Sequence, residues 1–350
     1  MFMQTRRSFI KAVGLGAAVA VATRAGAAPA VQNSRADVGR GQREVLMPQV
    51  DGVWWQVAGN PMDHTYATER QEPVDFAAWQ AADGTWQLWS CLRRTTAGID
   101  DGGTGRVFHG WEGQHLTDSD WRPLGIVMES DPSLGETPGG LQAPHVVKVG
   151  DTYQMFYGDW LNICHAVSRD GKTFERTIQP DGRTGMFTEG DAVVNTRDIM
   201  MLEHDGRWYG YYTAFSNRRG KVLVRTTTDF TNWSEPSIVS FSGEAGVGNG
   251  SSECPHVVKR GPKDFYLFKT QTYGRYDRDN DDLRNRGLPE TRVYHSEDPM
   301  MFGIDQDDEY LLTVLPVAAP EVVTFEGQQY IFALNAHQLD GIRCARLNWV

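Results

Sequence analysis

Cysteine is scarce. Four residues, Cys91, Cys164, Cys254 and Cys344, are spread through 350 positions, and no two form a C-x-x-C pair. That spacing excludes the usual zinc frameworks and leaves disulfide pairing open. Basic charge is also short. The 34 Lys and Arg face 45 Asp and Glu, a net charge of -11, which argues against nucleic acid as a partner because phosphate binding needs a basic face. Beyond residue 30 no apolar run is long enough to cross a membrane as a helix, and helix signals of any length are few. Aromatic residues are not scarce: 11 tryptophans suit either a large β core or the flat faces of sugar rings.

The first thirty residues have the form of a targeting segment. Thr5-Arg6-Arg7-Ser8-Phe9-Ile10-Lys11 carries paired arginines, an alanine-rich apolar stretch follows, and Ala25-Gly26-Ala27 and Ala28-Pro29-Ala30 offer small-residue cleavage sites. The arginine pair specifies the twin-arginine type of signal; an ordinary secretory signal is the blander reading. Residues 1–30 are therefore expected to direct export to the periplasm or beyond, with no membrane attachment after cleavage because no lipidation cysteine follows. A twin-arginine substrate folds before export in a reducing compartment, so no disulfide is demanded. Residues 31–350 are expected to form a single domain.

Within that domain one pattern recurs five times. Gln142-Ala143-Pro144-His145-Val146-Val147-Lys148 leads through Gly150-Asp151 into Tyr153, and Glu253-Cys254-Pro255-His256-Val257-Val258-Lys259 leads into Phe265-Tyr266. Ala319-Pro320-Glu321-Val322-Val323 and Arg197-Asp198-Ile199-Met200-Met201 repeat it, and the most divergent copy, Asp75-Phe76-Ala77-Ala78-Trp79, comes first. Each reads as strand, tight turn, strand. Corners at Asp170 before Phe174 and at Asp229 before Trp233, with Asp298 in the same place after the fourth copy, fit further strands closing the unit. Five such units, none able to bury its own faces alone, predict an all-β fold: a five-bladed β-propeller of four-stranded antiparallel blades. A two-sheet sandwich is the competing architecture.

The innermost strand of a propeller blade lines the central channel, so the start of each repeat is expected to face one cavity. Three starts place a carboxylate there: Asp75, Asp198 and Glu253. The other two carry Ala-Pro, followed by His145 or Glu321. Converging acids repel one another, an arrangement that is costly unless a site uses it. Glycoside hydrolysis does use it, with one acid to protonate the leaving oxygen and one carboxylate to activate water or attack the sugar. Arg197 is placed to bind a sugar hydroxyl or to pair with a carboxylate. His145 follows the channel-facing position and by strand alternation points away, yet it stays a substrate-binding candidate because its repeat has no acid at the start. Trp54, Trp55, Asn60 and His64 precede the first repeat and form either an aromatic wall at the pocket mouth or the packing that closes the ring.

These repeats resemble the superfamily of five-bladed propeller glycosidases that includes glycoside hydrolase families 43, 32, 62, 68 and 117, from about residue 50 to residue 350. Arg197-Asp198, with Asp205-Gly206 downstream, resembles the Arg-Asp-Pro motif of the third blade, with Ile199 in place of the proline. Ser252-Glu253-Cys254-Pro255 resembles the Glu-Cys motif of the invertase-like families and sits where family 43 keeps a Glu-Gly-Pro acid. The first blade lacks the Asn-Asp-Pro-Asn-Gly signature of invertase-like enzymes, which favours family 43. The resemblance implies Glu253 as general acid, Asp198 as the residue that orients the sugar and tunes that acid, and Asp75 as general base. It also implies an inverting, exo-acting hydrolase of arabinofuranosides or xylosides that needs no cofactor. A retaining β-fructofuranosidase-like enzyme and a carbohydrate-binding propeller without catalysis are the alternatives.

Two loops carry weaker signals. Tyr276-Asp277-Arg278-Asp279-Asn280-Asp281-Asp282 resembles the start of a calcium loop but lacks the sixth-position glycine and the distal glutamate. A structural calcium ion, known in some family 43 members, is therefore specified by nothing in the sequence. Gly246-Val247-Gly248-Asn249-Gly250 has no following lysine and is not a phosphate loop.

Overall fold

Each repeat starts with a β-branched or apolar run and turns back sharply into an aromatic run. Asp205-Gly206 (φ 52 and 71°) and Glu326-Gly327 (φ 49 and 79°) both hold two successive left-handed residues, the form a two-residue hairpin needs to match strand twist. The closing pairs are His204 with Arg207 and Phe325 with Gln328. The structure, a computed structural model, describes residues 45–98, 104–217, 219–241, 252–272, 289–335 and 339–350. The signal segment 1–30, the Gly246–Gly250 stretch and the Tyr276–Asp282 loop lie outside the described residues.

Strand β1 (Pro48–Gly59) precedes the first blade, made of β2 (Glu72–Gln80), β3 (Trp86–Thr95), β4 (Gly105–Gly113) and β5 (Arg122–Met128). Blade 2 holds β6 (Gln142–Val149), β7 (Thr152–Gly158), β8 (Ile163–Ser168), the short β9 (Glu175–Arg176) and β10 (Gly185–Phe187). Blade 3 runs through β11 (Arg197–His204), β12 (Arg207–Ser216), β13 (Arg219–Thr227) and β14 (Ser237–Phe241). Blade 4 contains β15 (Glu253–Arg260), β16 (Asp264–Thr272), β17 (Pro289–Ser296) and β18 (Leu311–Leu315). Blade 5 joins β19 (Ala318–Phe325), β20 (Gln328–Leu334) and β21 (Gly341–Trp349) to β1. All ladders are antiparallel, and blade 2 gains a fifth strand because both β9 and β10 pair with β8.

The inner strands touch in a closed cycle, β2 to β6, β11, β15, β19 and back to β2. This is the five-bladed propeller that the repeats predict. Its ring is closed by β1 on β21, with Val57 and Ala58 at 0 and 1% exposure. Aromatic residues pack between blades: Trp79 and Trp89 of blade 1 meet Phe174 of blade 2 edge-on at 5.9 and 5.2 Å. The corners share one device. Asp170, Asp229 and Asp298 each accept the N–H two residues ahead, at 2.7, 2.9 and 2.8 Å, and so aim Phe174, Trp233 and Phe302 into the structure. All four cysteines are free.

Candidate active site

Every inner strand breaks in the same way at its start. Asp75 (φ 41°), Ala143 (41°), Asp198 (58°), Cys254 (48°) and Ala319 (46°) all adopt the left-handed conformation, each at a shift in ladder register. These are five equivalent β-bulges, each of which re-aims one side chain. A non-glycine residue held left-handed costs about 1–2 kcal/mol, and strain of this kind gathers at functional sites. All five residues line a cavity of about 40 Å³ at one end of the central axis. The blade-4 equivalent of Asp75 and Asp198 is thus Cys254, whereas the sequence pattern suggested Glu253. Glu253 stands one position earlier, level with Arg197.

That offset builds the site. The Cys254 N–H donates to Asp198 Oδ2 at 3.1 Å, and its thiol donates to Asp75 Oδ1 at 3.3 Å. One position back, Arg197 Nη2 donates to Glu253 Oε1 at 2.9 Å, while its Nε lies 3.4 Å from Asp198 Oδ2. Asp75, Asp198, Glu253 and Arg197, from three blades, are thereby joined through one cysteine and one guanidinium. Glu253 is more open than Asp198, with its side chain 32% exposed against 3%. Burial pushes Asp198 up to about 7; Arg197 opposes this, and Asp75 and Glu253 reinforce it. Arg197 is disfavoured by burial, but Asp198 and Glu253 outweigh that and hold it above its ordinary value.

Donor atoms of Asp75, Asp198 and Cys254 lie within 4.8 Å of one another, the one such set among the described residues with room for a small cation. Burial and the surrounding carboxylates push the Cys254 thiol well above its ordinary value. The sulfur therefore keeps its proton and serves as a hydrogen-bond donor, where a metal ligand would be a thiolate.

One layer deeper, His145, His256 and Glu321 line both this cavity and one of about 530 Å³ at the other end of the axis. His145 Nδ1 lies 3.5 Å from Glu321 Oε1, and Glu321 Oε2 accepts from Ala78 N at 2.9 Å. His256 Nε2 accepts from Val322 N at 3.1 Å, which fixes it neutral, and burial lowers it to about 3. His145 thus faces the channel, against the alternation argument, because the bulge before it shifts the register by one. It sits beneath the acids and not beside them.

Two expectations are corrected. Trp54 lies on β1, the outermost strand of blade 5, and packs against a core cluster that includes Phe268 and Leu347. His64 faces His109, with ring centroids 6.1 Å apart. Neither lines the axial cavities. Trp54 serves the closure of the ring, because the segment before the first repeat is used as the last blade's outer strand, and His64 packs against β4 of blade 1. Sequence reasoning also missed Cys254 as a member of the site. Its only signal was its place in the repeat, obscured by the acid beside it.

No family model and no curated protein matches this sequence. Solved structures do match its fold. A thermostable family-43 glycoside hydrolase aligns over 83% of this chain and 91% of its own, at 16% identity and a TM-score of 0.56. An endo-arabinase from Bacteroides thetaiotaomicron aligns over 83 and 96%, at 10% identity and a TM-score of 0.56. The family-32 β-fructofuranosidase of Bombyx mori, in complex with sucrose, aligns over 79% of this chain but 59% of its own, at 16% identity and a TM-score of 0.51. The chain therefore shares the five-bladed propeller fold of these hydrolases.

Proposed function

We propose that the protein is a glycoside hydrolase in which Glu253 is the general acid, Asp75 the general base and Asp198 the residue that orients the sugar. The observation that carries this reading is the convergence of the three carboxylates at one end of the channel, tied together by Cys254 and Arg197. Their environments differ, as acid and base roles require. Glu253 is open enough to meet a leaving-group oxygen, and Asp75 is held at the channel by a thiol. Asp198 is buried against Arg197 and suited to positioning. The mechanism is single-step inversion: a water activated by Asp75 attacks the anomeric carbon as Glu253 protonates the departing oxygen. The substrates are arabinofuranosides or xylosides cleaved from a chain end, and no cofactor takes part. The paired arginines near the N-terminus support export by the twin-arginine route.

A retaining mechanism is the second reading. It is favoured by the Asp75–Cys254 contact, which holds a nucleophile candidate against the residue adjoining the acid. Wild type and Glu253→Gln are to be compared on a panel of aryl glycosides and oligosaccharides, with products followed by NMR. We expect at least a 100-fold loss of kcat in the variant on substrates with poor leaving groups, and inversion at the anomeric centre in the first product. Unchanged activity would remove Glu253 from the mechanism. A retained anomer would make Asp75 the nucleophile.

A further inference from the structure

Beside the carboxylates stands an arginine that the proposed chemistry does not use. Arg106 is the second residue of β4, and its guanidinium carbon lies 4.4 Å from the centre of the Trp160 ring. It is half-buried, and no carboxylate of the described residues lies within ion-pair distance of it. The neighbouring cations are all engaged: Arg93 and Arg94 pair with Glu72 at 2.7 and 3.3 Å, and Arg197 with Asp198 and Glu253. Arg106 is the surplus positive charge in this part of the protein, near enough for the charges of Asp75 and Arg197 to act on it.

Its position is built, and at some cost. Arg106 N donates to Gly139 O at 2.9 Å. At Gly105 a Cβ would come within 2.1 Å of Ala97 O, and at Gly139 within 2.3 Å of the same atom, so only glycine allows these backbones to meet. At Gly140 a Cβ would lie 2.5 Å from Asp159 O, which ties the same segment to the turn that carries Trp160. That turn is held by the Asp159 carboxylate, which accepts from Leu161 N and Asn162 N at 2.9 and 2.5 Å. Trp160 itself is left-handed, at φ 81°, a conformation that a bulky residue keeps only when its surroundings impose it. At Gly158, two residues earlier, a Cβ would lie 3.7 Å from the Arg197 Cα, so the platform adjoins the blade-3 side of the site.

A guanidinium laid on an indole face, with its donors unclaimed, is organised to receive a planar or tetrahedral oxyanion. We propose that Arg106, held on Trp160, recognises an anionic group on the substrate, a sugar carboxylate or sulfate ester seated next to the scissile linkage. This rests on the glycosidase reading and adds to it an acidic sugar residue beside the cleaved arabinofuranosyl or xylosyl linkage. An overall negative charge on the protein makes such a substrate a poor generic partner, so recognition depends on one local cation.

The test is binding, which needs no turnover. Titration calorimetry of the full chain with glucuronate, galacturonate and galactose 6-sulfate, against glucose and galactose, is run for wild type, Arg106→Gln and Arg106→Lys, with melting temperatures confirming the fold. We expect acidic sugars to bind at least 10-fold tighter than neutral ones. Arg106→Gln should remove that preference, a loss of about 10- to 100-fold, and Arg106→Lys should keep part of it. Preference for uronates over the sulfated sugar, or the reverse, identifies the anion. Equal binding of acidic and neutral sugars, or a preference that survives Arg106→Gln, overturns the proposal. Hydrolysis of neutral glycans by the wild type as fast as of acidic ones would overturn it while leaving the glycosidase reading intact. Arg106-dependent binding without hydrolysis of any glycan would do the opposite.

Discussion

Replacing Asp198 by Asn should change how stability depends on pH. Asp198 is 5% exposed, and its native pKa of about 7 stands against an ordinary value of 3.8. Between those values the native chain holds a proton at this position that the unfolded chain has released. Stability then falls as pH rises. The stabilising contribution is fully present below about pH 4 and is lost as pH passes through 7. A gap of about 3 pH units corresponds to about 4 kcal/mol. Denaturant unfolding of wild type and Asp198→Asn at steps from pH 4 to 8 isolates the effect, because other titrating groups, such as the buried Glu321, are common to both proteins. We expect the difference in unfolding free energy to move by about 4 kcal/mol across that range, in the direction that disfavours wild type at high pH. A flat difference would mean that Arg197 keeps Asp198 ionised throughout, and the account of burial outweighing the ion pair would be wrong.

Two structural predictions follow from the same reasoning. Lys269 and Asp307, 1 and 0% exposed, pair at 2.7 Å inside blade 4. Lys269→Met strands a buried carboxylate and should cost about 3–5 kcal/mol, whereas Lys269→Met with Asp307→Leu should recover most of it; chemical denaturation of both variants checks this, and equal losses would contradict it. A chain beginning at residue 60 lacks β1 and leaves the β21 edge unpaired. Losing the buried Val57, the tryptophan contacts of β1 and its ladder should cost at least about 3 kcal/mol, read as a lowered melting temperature; an unchanged melt would show that the ring closes without β1.

The repeats were legible because they are local. Each hairpin is written in contiguous residues, from the Asp205-Gly206 turn to the corner at Asp229 that aims Trp233, and strand periodicity needs no distant partner. Asp75, Arg197, Asp198 and Glu253 were legible for the same reason, as residues at the starts of the repeats. The bulge was not. A one-residue register shift is decided by pairing with β3, β7, β12 and β16, and it exchanged the places of Glu253 and Cys254 and turned His145 into the channel. Trp54 was misplaced because nothing in a single strand states which blade it completes.

Five hairpin-built units must share one axis because no unit can bury both of its faces alone, and the repeat pattern is enough to place acids near the starts of three of them. Only the tertiary structure decided what those acids touch. The Cys254–Asp75 contact spans 179 residues, and Arg106 and Trp160 meet only because three glycine backbones pack where side chains would collide. Such contacts depend on how blades rotate about a common axis, a property of the closed ring that no segment of the chain carries.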